Sequence, residues 1–179
     1  MISDEQYIAY IKNIHKKIGF RNSAGYSKNL SFQPEPEILA FVELDCFGRM
    51  QRMEPTAVSA WKKMKTSAAK EGVVLNIISA FRSIQDQFYI FEKKLNKNIS
   101  LDEILKVNMP PGYSEHHTGM AVDISDGENN DLTEKFETTE AFAWLKKNAN
   151  RFHFMLSYPR NNAWNVLYEP WHWKFTPDA

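Results

Sequence analysis

The chain has 179 residues, of which 43% are hydrophobic and 25% are charged. This length fits one domain, and this composition excludes a collagen-like, low-complexity or largely disordered protein. Lys and Arg together number 22, as do Asp and Glu, so the net charge is zero and no basic excess points to nucleic acid. No uncharged apolar run approaches the roughly 20 residues that a membrane-spanning helix needs.

The first predicted element is a helix close to the N-terminus. Ser3 and Gln6 have the spacing of a capping box. Apolar residues then recur at helical spacing, namely Tyr7, Ile11, Ile14 and Ile18. His15 lies among lysines of this helix, which predicts a solvated side chain. A polar loop is predicted over residues 22–36, and the apolar run over residues 38–47 is predicted to be a strand.

Two features of this region bear on the cellular compartment. Cys46 is the single cysteine, so it cannot form an internal disulfide, and its apolar neighbours favour a buried, inert thiol over a nucleophile. The first residues include Asp4 and Glu5 and lack the basic-then-apolar order of a signal peptide. If Met1 is the natural start, we expect a cytoplasmic protein; a trimmed signal segment would indicate the periplasm or the cell exterior.

The middle of the chain predicts a helix, a strand, a second helix and a short capped turn. Pro55 is favoured at the first position of a helix, and Gly72 is a plausible end of that helix. Residues 73–81 are rich in β-branched side chains and predict a buried strand. The next helix carries an apolar stripe made of Ile84, Phe88, Phe91 and Leu95. Ser100 and Glu103 then predict a short capped turn.

The C-terminal part alternates loops, strands and one helix. Its elements, in chain order, are a Pro-Pro-Gly loop over residues 109–118, a strand over 120–124, an acidic stretch to 131, a helix around 141–145, a strand over 152–157, and a turn at Asn161-Asn162 into a last strand that ends near Phe175. No internal repeat or linker interrupts this order. The pattern of elements therefore predicts a single α+β domain.

Histidines and carboxylates in this C-terminal part suggest a metal site. His116, Asp123 and His172 supply two imidazoles and one carboxylate, a ligand set of catalytic zinc that leaves a position open for water. Glu169 could accept a proton from that water. Pro170 favours an edge or a bulge, where Glu169 and His172 could both turn towards one cleft. Spacing alone, however, leaves a metal site and its absence equally open.

Two further histidines are predicted to stand outside the ligand set. His117 follows a candidate ligand, and an extended backbone would point its side chain the other way, into a supporting or exposed position. His153 alternates with the apolar residues of a predicted strand, which places it on the surface or at a cleft rim.

Three sequence motifs resemble those of a known family. Residues 114–123 match SxHxxGxAxD, residues 169–172 match ExWH, and residues 79–83 with Gln87 are similar to SGYRSxxxQ. Together they resemble the zinc D-alanyl-D-alanine carboxypeptidases of the VanY type, a family that includes L,D-carboxypeptidases and D,D-dipeptidases of bacterial peptidoglycan metabolism. This family shares its fold with the hedgehog signalling domain. The resemblance covers about residues 55–175.

The resemblance implies a role for each matching residue. It implies one zinc ion held by His116, Asp123 and His172. Glu169 would be the general base, and Arg82 would polarise the scissile carbonyl and stabilise the oxyanion. Three further residues would contact the substrate, Ser114 and Gln87 at its backbone or terminal carboxylate and Trp171 as a wall of the site.

The resemblance also implies the architecture. It indicates a central antiparallel sheet flanked by helices, with the zinc cleft on the sheet. Residues 55–179 would form the carboxypeptidase core, and residues 1–54 a helix and loop extension packed on it. The chain departs from the usual family pattern at three places: Ala80-Phe81 for Gly-Tyr, Phe152-His153-Phe154 for Tyr-Gly-Phe, and Lys174 for Arg.

The implied activity is release of the terminal D-alanine from peptidoglycan stem peptides or muropeptides, with no nucleic acid and no membrane span involved. The lack of a signal peptide favours an L,D-carboxypeptidase acting on tetrapeptides over a D,D-carboxypeptidase acting on pentapeptides. A phage-type peptidoglycan endopeptidase is an alternative, and so is a non-catalytic zinc-binding module, which the hedgehog domain shows to be possible on this fold. The presence of both Glu169 and Arg82 favours an enzyme.

Overall fold

The computed structural model describes residues 4–21, 30–128, 132–164 and 166–177. Within them the helices are α1 (Asp4–Lys17), α2 (Pro55–Lys70), α3 (Ile84–Leu95), α4 (Leu101–Val107) and α5 (Glu140–Asn148). The strands are β1 (Ala40–Leu44), β2 (Met50–Met53), β3 (Asn76–Ser79), β4 (Ala121–Ser125), β5 (Phe154–Leu156) and β6 (His172–Phe175). Three predicted features fall outside the described residues: Ser3 of the capping box, most of the loop over 22–36, and the end of the acidic stretch.

Side-chain caps fix the starts of the central helices. The Glu54 carboxylate accepts hydrogen bonds from the backbone N–H groups of the first turn of α2, which begins at Pro55 as predicted. Ser100 and Glu103 form the predicted capping box at the start of α4, each accepting a bond from the other's backbone. These caps satisfy N–H groups that have no partner inside the helix.

Four strands form an antiparallel sheet in the order β3-β4-β6-β5, and β1 and β2 form a separate hairpin. Helices flank the sheet, so the predicted α+β class is confirmed. The register pairs Asp123 of β4 with Ser79 of β3 on one side and with His172 of β6 on the other. Ser79 and His172 are 93 positions apart in the chain (172 − 79), yet strand pairing places them in one row across the sheet on either side of Asp123.

Two apolar clusters support this sheet. The larger one packs α2 and α5 against it and includes the fully buried side chains of Trp61, Met64 and Phe154. The smaller one joins α1 to α3 and α4 through residues such as Ile14 and Phe91. Ile84 at the start of α3 belongs to the smaller cluster, and Tyr113 of the loop before β4 packs against it.

The hairpin departs from the predicted single strand over residues 38–47. The Asp45 carboxylate accepts hydrogen bonds from the backbone N–H groups of Phe47 and Arg49, at 2.9 and 2.8 Å, and these bonds close a turn that leads into β2. Cys46 lies in this turn and is exposed, so the prediction of a buried thiol is wrong. Cys46 is exposed because the apolar run ends in this turn, although its neighbours in the sequence are apolar.

His15 is also placed differently from its prediction. It is 9% exposed, its Nε2 lies 2.7 Å from the carbonyl oxygen of Pro111, and its ring stacks on Tyr113 at 5.7 Å. The Pro-Pro-Gly loop covers the face of α1 that the lysines suggested was solvated. This contact ties the N-terminal helix to the loop that precedes the site.

The end of the chain contains less strand than predicted. The last strand, β6, begins only at His172, because the backbone N–H of His172 bonds the carbonyl of Glu169 at 3.1 Å and closes a turn around Pro170. β5 begins at Phe154, after His153 adopts a positive φ of 60°. That left-handed conformation favours glycine, which accounts for the glycine that the resembling family usually has there. No helix in the described ranges is long and apolar enough to cross a bilayer.

Candidate metal centre and active site

The structure brings His116, Asp123 and His172 together in one buried group. One Asp123 oxygen lies 3.2 Å from Nε2 of His116, and the other lies 3.0 Å from Nδ1 of His172. One ligand atom from each residue lies within 4.8 Å of the others. Asp123 and His172 face each other across β4 and β6, and His116 enters from the short 3-10 turn Glu115–Thr118.

Each histidine is oriented by a second hydrogen bond. Nδ1 of His116 lies 2.7 Å from the carbonyl oxygen of Ala80, which can only accept, so Nδ1 carries the proton and Nε2 presents its lone pair. Nε2 of His172 lies 3.0 Å from a carboxylate oxygen of Glu115, which leaves Nδ1 as the ligand atom. Metal-ligating histidines usually show such outer partners. The donor set and its outer bonds therefore fit a zinc ion.

The charges in this group are strongly coupled. Burial disfavours the charged form of Asp123, yet His116 and His172 more than offset burial and lower the pKa of this carboxyl well below its ordinary value. Burial alone would lower the pKa of His172, but hydrogen bonds to Asp123 and Glu115 raise it to about 10. A cation bound between Nδ1 of His172 and Asp123 would displace the proton that this bond now holds.

Glu169 lies beside the metal ligands. Its carboxylate is 3.9 Å from Nδ1 of His172, and its side chain is 13% exposed. Burial raises the pKa of Glu169 to about 7, with the positive charge of His172 acting in the opposite direction. The turn around Pro170 directs both side chains into one cleft. A carboxylate with a pKa near neutrality is suited to take up and return a proton.

Arg82 is held in the same cleft by fixed contacts. Its guanidinium donates to Oε1 of Gln87 at 3.0 Å and to Oγ of Ser79 at 3.1 Å. Its backbone N–H bonds the carbonyl of His116 at 3.1 Å, and its own carbonyl accepts from Nδ1 of His117 at 2.6 Å. His117 is fully buried, so it has the supporting and not the exposed position of the two that were expected, and it lies on a 3-10 turn where an extended backbone was assumed.

These residues line a cleft of about 490 Å³. Ser114 and Trp171 line it together with the metal ligands, as do Tyr158, Tyr168 and Leu167. Gln87 also lines it, but both polar ends of its side chain are used, by Arg82 and by the carbonyl of Met109 at 2.7 Å. The structure thus brings all the predicted site residues together, and their individual roles stay predictions.

Glu115 is the residue that the sequence analysis missed. Besides His172, its carboxylate contacts Lys174 at 3.4 Å, and its side chain is 14% exposed. Burial would raise the pKa of Glu115, but His172 and Lys174 lower it to about 2. The only signal in the sequence is its place inside the SxHxxGxAxD motif, and a glutamate next to a histidine is ordinarily solvated.

Gly119 explains why the chain can turn from His116 into β4. Its φ is +67°, and a Cβ atom there would lie 2.9 Å from the backbone nitrogen of Glu54. The same two residues are joined by a backbone hydrogen bond of 2.9 Å from Glu54 to Gly119. A side chain at this position would separate the metal ligands from the end of β2.

Three protein ligands in a cleft define a catalytic type of metal site, because structural zinc sites are closed by four. The chain belongs to the VanY family of D-alanyl-D-alanine carboxypeptidases, whose family pattern matches residues 50–178. It is similar to YodJ of Bacillus subtilis (strain 168), with 33% identity over 153 residues that cover 81% of this chain and 55% of YodJ. It is also similar to a D-alanyl-D-alanine carboxypeptidase of Enterococcus faecium, with 29% identity over 69% of this chain and 37% of that protein. The chain therefore spans about half or less of the length of these relatives.

Two solved structures share the fold. The LdcB LD-carboxypeptidase superposes with a TM-score of 0.70 and 31% identity, covering 79% of this chain and 69% of that one. A variant of the vancomycin resistance D,D-pentapeptidase VanY, in complex with Zn(II), superposes with a TM-score of 0.59 and 26% identity, covering 79% and 82%. The zinc in that structure agrees with the ligand set found here.

Proposed function

We propose that this protein is a zinc-dependent carboxypeptidase that releases the terminal D-alanine of peptidoglycan stem peptides, with the L,D activity on tetrapeptides favoured over the D,D activity on pentapeptides. The observation that carries the proposal is the buried group of His116, Asp123 and His172 with the Glu169 carboxylate 3.9 Å from one of its ligands. Both the LdcB LD-carboxypeptidase and the D,D-pentapeptidase VanY share this fold, so the products decide between the L,D and the D,D activity.

In the proposed mechanism, a zinc ion held by the three ligands would supply Lewis acidity to water and to the scissile carbonyl. Glu169 takes a proton from the attacking water as its oxygen bonds to the carbonyl carbon. Arg82, fixed by Gln87 and Ser79, donates hydrogen bonds to the carbonyl oxygen as negative charge develops there. Glu169 then returns the proton to the nitrogen, the C–N bond breaks, and D-alanine leaves as the free amino acid.

The test is mass spectrometry of products after incubation of the zinc-loaded protein with disaccharide tetrapeptide, with disaccharide pentapeptide and, separately, with intact sacculi. Loss of one alanine from the tetrapeptide, prevented by a chelator, would support the proposal. Loss of alanine from the pentapeptide alone would make the enzyme a D,D-carboxypeptidase. Solubilised sacculi without alanine release would indicate an endopeptidase, and no cleavage at all would favour a zinc-binding module. The compartment and the division at residue 54 stay predictions.

A further inference from the structure

A second cation lies in the cleft and has no assigned role. Lys94 is in the last turn of α3, half-buried, and lines the cleft together with Arg82 and Ser114. No carboxylate of the described ranges lies within ion-pair distance of its ammonium group, and no hydrogen bond from that group to the described residues is present. Burial lowers the pKa of Lys94, and the positive charge of Arg82 lowers it further, so the two cations lie near each other without a shared anion.

Helix stabilisation alone does not explain this placement. A lysine in the last turn of a helix interacts favourably with the helix dipole, but that interaction requires no burial. Lys93, the neighbouring lysine in the same turn, is exposed and can supply it. Placing a second ammonium in a cleft beside a guanidinium costs free energy unless an anion joins them.

Arg82 lies near both the metal ligands and Lys94 in the one cleft. Its backbone N–H bonds the carbonyl of His116, and its charge acts on His116, Glu169 and Lys94. In the proposed function Arg82 serves the carbonyl that is cleaved. The carboxylate of the leaving residue is one residue further along the substrate, a step of about 3.5 Å. A second cation near Arg82 in the same cleft is therefore suited to meet that carboxylate.

Ser114 supplies a second polar group at this end of the cleft. Ser114 is 4% exposed and lines the cleft, yet its hydroxyl makes no hydrogen bond to the part of the chain that the structure describes. The family resemblance already implies a substrate contact for Ser114; we propose that Lys94, which lines the same cleft, binds the terminal carboxylate of the peptide substrate and thereby restricts cleavage to chain ends. This inference rests on the proposed carboxypeptidase function and adds to it Lys94 as a residue that recognises the free carboxylate.

The experiment compares each tetrapeptide with its C-terminal amide, which has the same shape but no terminal charge. The variants are Lys94→Met, Lys94→Arg and, as a control with the same change of charge outside the cleft, Lys93→Met. Steady-state kinetics give kcat and KM for both substrates, and zinc content and thermal unfolding are measured for each variant. Lys94→Gln is made as well, so that a folding defect of the methionine variant does not decide the result.

We expect the wild type to prefer the acid over the amide by about 10- to 100-fold in kcat/KM, the value of one charge-assisted hydrogen bond. Lys94→Met should lose about that factor on the acid, mainly through KM, and should cleave the amide as the wild type does. Lys94→Arg should keep most of the preference and Lys93→Met all of it. An undiminished preference in Lys94→Met and Lys94→Gln would overturn this inference and leave the proposed function intact. A wild type that cleaves neither substrate would instead overturn the proposed function, and this inference with it.

Discussion

The bond between Glu115 and His172 allows a quantitative prediction about metal affinity. Nε2 of His172 and the Glu115 carboxylate are 3.0 Å apart, with side-chain exposures of 3% and 14%. In Glu115→Gln the amide oxygen can still accept the bond, but the negative charge is lost. A bond to a charged group contributes about 1.5–3 kcal/mol and a neutral one about 0.5–1.5 kcal/mol. The difference, about 1 kcal/mol or slightly more, corresponds to a zinc affinity roughly 10-fold weaker.

Glu115→Ala should weaken zinc binding further, by about 100-fold, because it leaves the buried Nε2–H of His172 without a protein partner. Zinc dissociation constants would be measured by competition with a chromogenic chelator at one fixed pH. Glu134→Gln is the matched control, since Glu134 lines the same cleft but pairs with Arg160 and contacts no metal ligand. Equal affinity of both Glu115 variants and the wild type would refute the reasoning that this carboxylate orients His172.

Three further predictions concern the site and its support. Glu169→Gln should abolish turnover while zinc stays bound. Without zinc, the same variant should raise the free energy of unfolding above pH 7 by on the order of 3 kcal/mol, since one pKa unit corresponds to about 1.4 kcal/mol and the pKa rises from 4.5 to about 7. Because the folded-state pKa of Glu169 is raised from 4.5 to about 7, the gain should vanish in urea unfolding below pH 4.5, where the carboxyl is protonated in both states. Gln87→Leu should lower kcat about 100-fold at unchanged zinc affinity, because the Arg82 guanidinium loses an anchor; an unchanged kcat would contradict this role. His15→Phe should cost about 1–2 kcal/mol in urea unfolding, since the carbonyl of Pro111 loses its partner, and a smaller loss would mean that water replaces the imidazole.

The region around β1 and β2 shows where local patterns mislead. The apolar run over residues 38–47 predicted one strand and a buried Cys46, but the Asp45 side chain closes a turn there. That turn depends on side-chain hydrogen bonds and on pairing with a second strand, β2. The four residues of β2 are too few and too polar to give a recognisable strand pattern in the sequence. The prediction of a solvated His15 was wrong for a related reason, because Pro111 of the loop that covers it is 96 residues away in the chain.

The sequence by itself determined the family, the candidate ligands and most of the helices. Motif residues and helix caps act within a few positions of one another, as Pro55 and the Ser100–Glu103 capping box do, so short segments suffice to identify them. Only the tertiary structure decided that Asp123 and His172, 49 residues apart, are neighbours in one ladder, and that Glu115 turns inward to hold the second of them. Strand register and the burial of a charge depend on partners distant in the chain, and no local pattern contains them.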